Sequence, residues 1–136
     1  MSMDFEWQLQ AAFIAQLQAA VPAVPAKPWT EADAVYPCLV VHCSGTPEMP
    51  EGAPLFEGFV ELGVKTHARS DPTGSVAAGQ LGSIRSAVLA SGLLAAVNAR
   101  LSGCKLLAVS TGSPSDGVAE NIRTRSLTVH CQFQAL

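Results

Sequence analysis

Apolar residues recur at every fourth position near the start of the chain. They are Phe5, Leu9, Phe13 and Leu17. An apolar stripe at this spacing, with glutamines mostly off it, predicts a one-sided amphipathic helix. Asp4 can cap its start, and the helix should run to about Ala20. It should stop before Pro22, because proline cannot donate the helical hydrogen bond.

Two later segments alternate apolar and other residues with the period of two that predicts a β-strand. In 56–68 one face carries Val60, Leu62, Val64 and Thr66, and the other Phe59, Glu61, Lys65 and His67. In 121–134 one face carries Leu127, Val129, Cys131 and Phe133, and the other Thr128, His130, Gln132 and Gln134. Shorter apolar runs predict strands at 36–43 and 105–111.

A second helical pattern follows the segment 56–68. Its apolar stripe consists of Ala77, Leu81, Ile84 and Val88. We predict a helix over 72–91, with Asp71 as its N-cap and Pro72 at its first position. A short third helix is predicted over 93–101, ended by Gly103.

Three Pro- or Gly-rich segments connect these elements: a connector at 22–35 and loops at 44–55 and 112–120. The order helix, two strands, helix, two strands predicts a single α+β domain over 1–136. We expect a four-stranded, mainly antiparallel sheet covered on one face by the N-terminal and central helices. The predicted core consists of Leu39, Val41, Val60, Leu62, Val64, Leu81, Ile84, Val88, Leu107, Leu127, Val129 and Phe133.

The chain carries few charges. Charged residues make up 14% of the sequence, against roughly 25% in an ordinary soluble domain, and the net charge is −3. Lys and Arg do not cluster, so the sequence shows no electrostatic footprint for nucleic acid, and we expect no sequence-specific binding of nucleic acid. No apolar run approaches the ~18 residues of a membrane span, and the start of the chain does not resemble a secretory signal.

The pairs His42-Cys43 and His130-Cys131 raise the question of a zinc site. Adjacent strand residues point to opposite faces, so neither pair can supply both of its side chains to one metal without a bulge. We therefore expect no metal. A catalytic thiolate needs a polar, electropositive setting, and each cysteine lies in or beside an apolar run, so we also expect no catalytic thiol. The four cysteines are expected to be reduced and to lie in or beside strands; they are Cys38, Cys43, Cys104 and Cys131.

Several segments resemble the tail-terminator (tail-completion) proteins of long-tailed phages. They are the N-terminal helix, the Pro-rich connector, the strand YPCLVV (36–41), the strand-to-helix run FVELGVKTHARSDP (59–72) and the final strand RTRSLTVHCQFQAL (123–136). The resemblance implies a mixed α+β fold that assembles as a hexameric ring. Such a ring caps the finished tail tube and presents a surface to the head-side connector, with no catalysis and no cofactor.

The long loops are the candidate contact surfaces, because their length and their Pro and Gly content favour a functional role. The candidate interface residues are Glu48, Met49, Glu51, Leu55, Asp116, Arg123 and Arg125. On this interpretation the partners are further copies of the chain, the tail-tube protein and the head-side connector. The protein would be assembled in the host cytoplasm and would reside in the virion, in the tail or neck.

Two alternatives remain open at this point. One is a neighbouring head–tail connector or another minor tail protein, which would differ only in its position in the particle. The other is a small intracellular ligand-binding or enzymatic α+β domain. That domain would need a pocket with converging polar groups, for which His42, His67 and Arg69 are the candidates.

Overall fold

The computed structural model describes residues 2–22, 24–28, 36–44 and 55–135. The helices are α1 (Ser2–Ala20), α2 (Ser75–Val88) and α3 (Leu93–Asn98). The strands are β1 (Ala26–Pro28), β2 (Cys38–Ser44), β3 (Leu55–His67), β4 (Cys104–Thr111), β5 (Ser115–Ala119) and β6 (Ile122–Ala135). The α+β class is confirmed, and all four predicted strands are present, as β2, β3, β4 and β6.

The strands form a six-stranded sheet in the order β1-β2-β3-β6-β4, and β5 also pairs with β6. All pairings are antiparallel except that of β1 with β2. The longest one joins β3 to β6 and runs without a break from Leu55–Gln134 to His67–Ile122. The prediction of a mainly antiparallel sheet is therefore confirmed, with two short strands added.

One face of the sheet packs against the helices. Helix α1 contacts β1 and β2, α2 contacts β3 and β6, and α3 contacts β4. The core contains eleven of the twelve residues predicted for it: Leu39, Val41, Val60, Leu62, Val64, Leu81, Ile84, Val88, Leu127, Val129 and Phe133. Leu9, Phe13 and Leu17 of the α1 stripe are also buried, as the helical spacing predicts.

Leu107 is the exception, because 38% of it is exposed. The register between β4 and β6 shifts between Leu106 and Ala108, where one extra residue enters β4. Leu106 instead faces the helices, opposite Phe133, and is 1% exposed. The prediction for Leu107 is wrong because strict alternation fails at a β-bulge.

Several boundaries also differ from the predicted ones. The connector 22–35 contains β1, whose three residues form a parallel pair with β2. The second helix does not start at Pro72, because residues 72–74 form a turn and Gly74 has a φ of 78°. It ends at Val88 rather than 91. The third helix ends at Asn98. The side chain of Asp4, the predicted cap of α1, lies outside the part of the chain that the structure describes.

We expect Leu127→Ala to lower the free energy of unfolding by about 2–5 kcal/mol, because Leu127 is 3% exposed and its truncation leaves a cavity beneath the helices. Thr128→Ala is the matched control. Thr128 is exposed on the opposite face, so its loss should change stability by less than about 0.5 kcal/mol. Urea unfolding followed by circular dichroism measures both. A cost below about 0.5 kcal/mol for Leu127→Ala would remove that residue from the core.

Candidate functional site

Strands β5 and β6 form a hairpin through the two-residue turn Glu120-Asn121. Both residues have positive φ, at 52° and 65°, which is the backbone conformation of a type I′ turn. The turn lays β5 along the first part of β6, with Ser115 opposite Ser126 and Ala119 opposite Ile122. The predicted loop 112–120 is therefore largely a strand. Its Asp and Gly residues are depleted in strands, which is why its composition indicated a loop.

Arg123 ties this hairpin to the start of α2. Its Nη1 donates to Asp116 Oδ2 at 2.6 Å, its Nε to the Asp71 carbonyl at 3.2 Å and its Nη2 to the Pro72 carbonyl at 3.1 Å. A Cβ at Gly74 would lie 3.1 Å from Arg123 Nη1, and Gly74 also has a positive φ. The structure thus brings together two of the predicted interface residues, Arg123 and Asp116, and it does so within one chain.

Asp71 caps α2 from a distance and is 2% exposed. Its carboxylate accepts hydrogen bonds from the Val76 and Ala77 amides, each at 3.0 Å, and from the Thr66 hydroxyl at 3.1 Å. Burial opposes ionisation of this carboxyl. The hydrogen bonds from Ala77, Val76 and Thr66, with the charge of Arg123, outweigh burial and hold the pKa of Asp71 below its ordinary value. The N-cap of α2 is Gly74, so the prediction of Asp71 as the N-cap is wrong by three residues, although the Asp71 carboxylate still accepts hydrogen bonds from amides of the first turn.

Arg125 is two residues from Arg123 and is placed differently. It lies opposite Val64 on one side and Asp116 on the other. It is half-buried on the helix side of the sheet, and its guanidinium has no hydrogen bond or ion pair with a described residue. Of the two arginines, Arg125 is therefore the one whose guanidinium is not engaged by the described part of the chain.

The face of the sheet opposite the helices is formed partly by exposed polar residues of β6, namely Thr128, Gln132 and Gln134. We call the face of β3, β6 and β4 on this side the open face. At its centre the rings of Phe59 and His130 stack with centroids 5.0 Å apart. His130 Nε2 lies 3.3 Å from Glu57 Oε2, without the alignment of a hydrogen bond. The pair attracts electrostatically only when the imidazole is protonated.

Apolar side chains are exposed at one end of the open face. Leu55 is 59% exposed, and it lies opposite Gln134, which lies in turn opposite Lys105 of β4. Leu107 is exposed on the same part of β4. Leu55 is therefore accessible to a partner. The other candidates from its loop, Glu48, Met49 and Glu51, lie outside the described residues.

A cavity of about 500 Å³ lies at the other end of the sheet. Its lining includes Tyr36, Lys65, Ile122 and Thr124, with the turn end of the β5–β6 hairpin. Of the three residues proposed for a ligand pocket, none lines it. His67 contacts the Tyr36 ring edge-to-face at 4.8 Å, His42 lies opposite Glu61 in the middle of β2, and Arg69 is exposed in a turn.

The cysteines are free and buried, as the sequence predicts. Burial raises the pKa of the Cys131 thiol to about 12 and also raises that of Cys104. Within the described ranges no three His, Cys, Asp or Glu side chains are grouped so that they could hold a metal ion. No helix in that part of the chain is long and apolar enough to cross a membrane.

No protein-family model matches this sequence, and no curated protein matches it. Among solved structures, 21 chains are similar to it. One of them covers 100% of this chain and 96% of its own, with a TM-score of 0.51 and 16% identity. The name of that protein states no function. The likeness shows that this fold occurs elsewhere and shows the fold alone.

The two arginines should respond differently to substitution. Arg123→Ala removes three hydrogen bonds, one of them to a partly exposed carboxylate, and should cost about 1–3 kcal/mol of subunit stability. Arg125→Ala removes no polar contact with a described residue and should cost less than about 0.5 kcal/mol. Urea unfolding of both single variants measures the difference. Equal costs would contradict the placement of Arg123 as an internal tie.

The stabilising effect of Asp71 should depend on pH. Its folded pKa lies below the ordinary value of 3.8, so its ionised form stabilises the fold above about pH 4. That contribution is lost as the pH falls through the folded pKa. We therefore expect Asp71→Asn to lower Tm by several degrees at pH 7, and the gap from the unsubstituted chain to shrink below pH 3.8. Thermal unfolding across this range tests it; a gap that is independent of pH would contradict it.

Proposed function

We propose that this chain is a structural component of a phage tail. In this role copies of the chain close into a ring of six on the end of the tail tube, end its polymerisation and provide the surface that joins the head. The ring and its stoichiometry come from the resemblance of the sequence to tail-terminator proteins. The observation that carries the proposal is the set of large apolar side chains that are exposed on α1, β3, β5 and the end of α2.

Four large apolar side chains are more than half exposed. Trp7 is 65% exposed, Leu55 59%, Val118 53% and Leu89 51%. A sequence with only 14% charged residues has few charges with which to surround them. Exposed apolar groups near uncovered backbone favour contacts with other protein chains.

The order of the elements supports the same function. A long helix, two strands, a central helix and two strands follow one another, with β1 and β5 as additions. The resemblance implies this order for a tail terminator. The partners proposed are further copies of the chain, the tail-tube protein and the head-side connector protein. A head–tail connector or minor tail protein fits the same surfaces and differs in its position in the virion.

A second candidate function is binding of a small ligand, which the cavity beside Tyr36 favours. Its lining combines an aromatic ring, the Ile122 side chain and the charged residues Lys65 and Glu120. Small-molecule sites have such mixed walls and comparable volumes. Soaking or titration with metabolites, read by a rise in Tm, would detect that function.

The ring can be tested with an exposed apolar residue. We expect the purified chain to form a closed hexamer and Leu55→Asn to shift it toward monomer. The substitution should not lower Tm, because Leu55 is 59% exposed and makes few packing contacts within its own chain. Leu89→Asn, which removes a similarly exposed group from the helix side, is the matched control. Native mass spectrometry gives the stoichiometry.

The capping role is tested by co-expression of this chain with a phage tail-tube protein. Electron microscopy should then show tubes of uniform length with the chain at one end, and tubes of scattered length without it. A chain that stays monomeric in solution and leaves tube lengths unchanged would overturn the proposal.

A further inference from the structure

Helix side chains cover the backbone at the β1 edge of the sheet. Gln18 Oε1 accepts a hydrogen bond from the Ala26 amide at 2.8 Å, and Gln18 Nε2 donates to the Val24 carbonyl at 3.2 Å. Where β1 no longer covers β2, Gln10 Oε1 accepts from the Cys43 amide at 3.4 Å. The two glutamine side chains thus form hydrogen bonds with backbone groups that a sheet edge would otherwise offer to another chain.

The first half of β4, at the opposite edge, is covered in the same way. Asn98 Oδ1 accepts from the Leu106 amide at 2.7 Å, and Asn98 Nδ2 donates to the Leu106 carbonyl at 3.0 Å. One side chain of α3 therefore satisfies both outward backbone groups of Leu106, as a neighbouring strand would. The helices thus block both edges wherever these amide side chains reach them.

Beyond the bulge this protection ends. The Gly112 amide donates to the Thr128 carbonyl at 3.1 Å, so Thr111 and Val109 point their amides away from β6. The two-residue turn makes Ala119 and Ile122 a hydrogen-bonded pair. Because such pairs alternate along an antiparallel ladder, the amides of Val118 and Asp116 point away from β6. The four outward amides belong to Val109, Thr111, Asp116 and Val118. None of them donates to a described residue. We call these four residues the free edge.

Positive charge lies beside the free edge on the helix side. Arg85 Nε donates to the Thr111 hydroxyl at 3.1 Å, and no described carboxylate pairs with Arg85. Arg125 lies opposite Asp116 and has no polar partner among the described residues, and Asp116 itself is paired with Arg123. Two guanidinium groups are therefore available to a carboxylate that approaches along this edge.

We propose that the free edge binds an extended, carboxylate-bearing segment of a different protein, which adds a strand to the sheet. The outward amides and carbonyls supply main-chain hydrogen bonds, and Val118, 53% exposed, supplies an apolar contact. A carboxylate on the helix side of the added strand pairs with Arg125 and Arg85. The inference stands on these contacts and does not depend on the tail function.

A second copy of the chain fits this edge poorly. Its β1 edge is covered by Gln18 and Gln10, and Pro28 lacks an amide hydrogen. Antiparallel pairing of two free edges places the helices of both copies on the same side of the joined sheet. That arrangement brings the Arg85 and Arg125 pairs of the two copies together, and like charges repel. The occupant is therefore a segment of another protein.

The test uses the whole chain and a capped nine-residue peptide, SVTVEVTVS, as the probe, because the four amides of the free edge lie opposite β6 residues 131 to 123, a span of nine strand positions. We expect NMR hydrogen exchange to slow at these four amides when the peptide binds. The peptide SVTVQVTVS should bind roughly tenfold more weakly, because it lacks the carboxylate. Arg125→Gln should abolish this preference for Glu over Gln, which separates the charge contact from strand pairing.

Val118→Pro removes one outward amide and leaves the β5–β6 hydrogen bonds in place, so it should weaken binding roughly tenfold. Val118→Thr keeps the amide and is the matched control. If Val118→Pro unfolds the hairpin, the hydrogen-exchange protection of the free-edge amides in the unsubstituted chain still tests the proposal. Absence of binding up to about 1 mM peptide, or protection at other amides, would overturn the proposal. So would a dimer that Val118→Pro dissociates, because the occupant would then be a second copy.

Discussion

The unbroken pairing of β3 with β6 is the constraint on which the other elements depend. Thirteen residues of β3 face thirteen of β6, from Leu55–Gln134 to His67–Ile122. A slip of one residue would turn every buried side chain of one strand to the opposite face. The fully buried row that includes Val60, Leu62 and Val129 fixes the register. The other strands attach to this pair, with β2 on β3, and β4 and β5 on β6.

The end of β6 that β5 covers is stabilised differently from the rest of the sheet. All five residues of β5 are exposed, so apolar burial contributes little there. Arg123 stabilises this end instead, because its guanidinium bonds to the Asp116 carboxylate and to the backbone carbonyls of Asp71 and Pro72. Asp71 in turn bonds to α2 and to Thr66 of β3. One connected set of polar contacts therefore holds β3, β5, β6 and the start of α2 together.

The sequence predicts the elements whose spacing repeats, and these are the ones that build the core. The alternation in β3 and β6 and the stripe of α1 identify the buried faces correctly. The sequence does not reveal β1, whose three residues follow Pro25 and end on Pro28, or β5, whose Asp and Gly favour loops. The sequence pattern predicts Leu107 in the core, because a short apolar run gives no signal of a β-bulge. Such features depend on contacts with distant strands, which local spacing does not encode.

The separate positions of Arg123 and Arg125 could not be predicted for the same reason. They are two residues apart and share a face, so the alternation treats them alike. They differ because the Glu120-Asn121 turn brings Asp116 within 2.6 Å of Arg123, and because the start of α2 offers it two carbonyls. Arg125 meets neither group. Which of the two guanidinium groups can pair with another molecule thus depends on the partners that the fold provides within the chain.

The same reasoning explains why the free edge lies where it does. The side-chain amides that cover the rest of the sheet edges belong to α1 and α3, which pack against β1, β2 and β4. Strand β5 lies beyond these helices, so no side-chain amide of a described helix bonds to its outward backbone groups. Ser115, Asp116 and Gly117 make it a poor template for uncontrolled strand addition. A segment that binds there needs more than β-propensity. Arg125, which no described residue pairs, adds a requirement for negative charge that selects among partners.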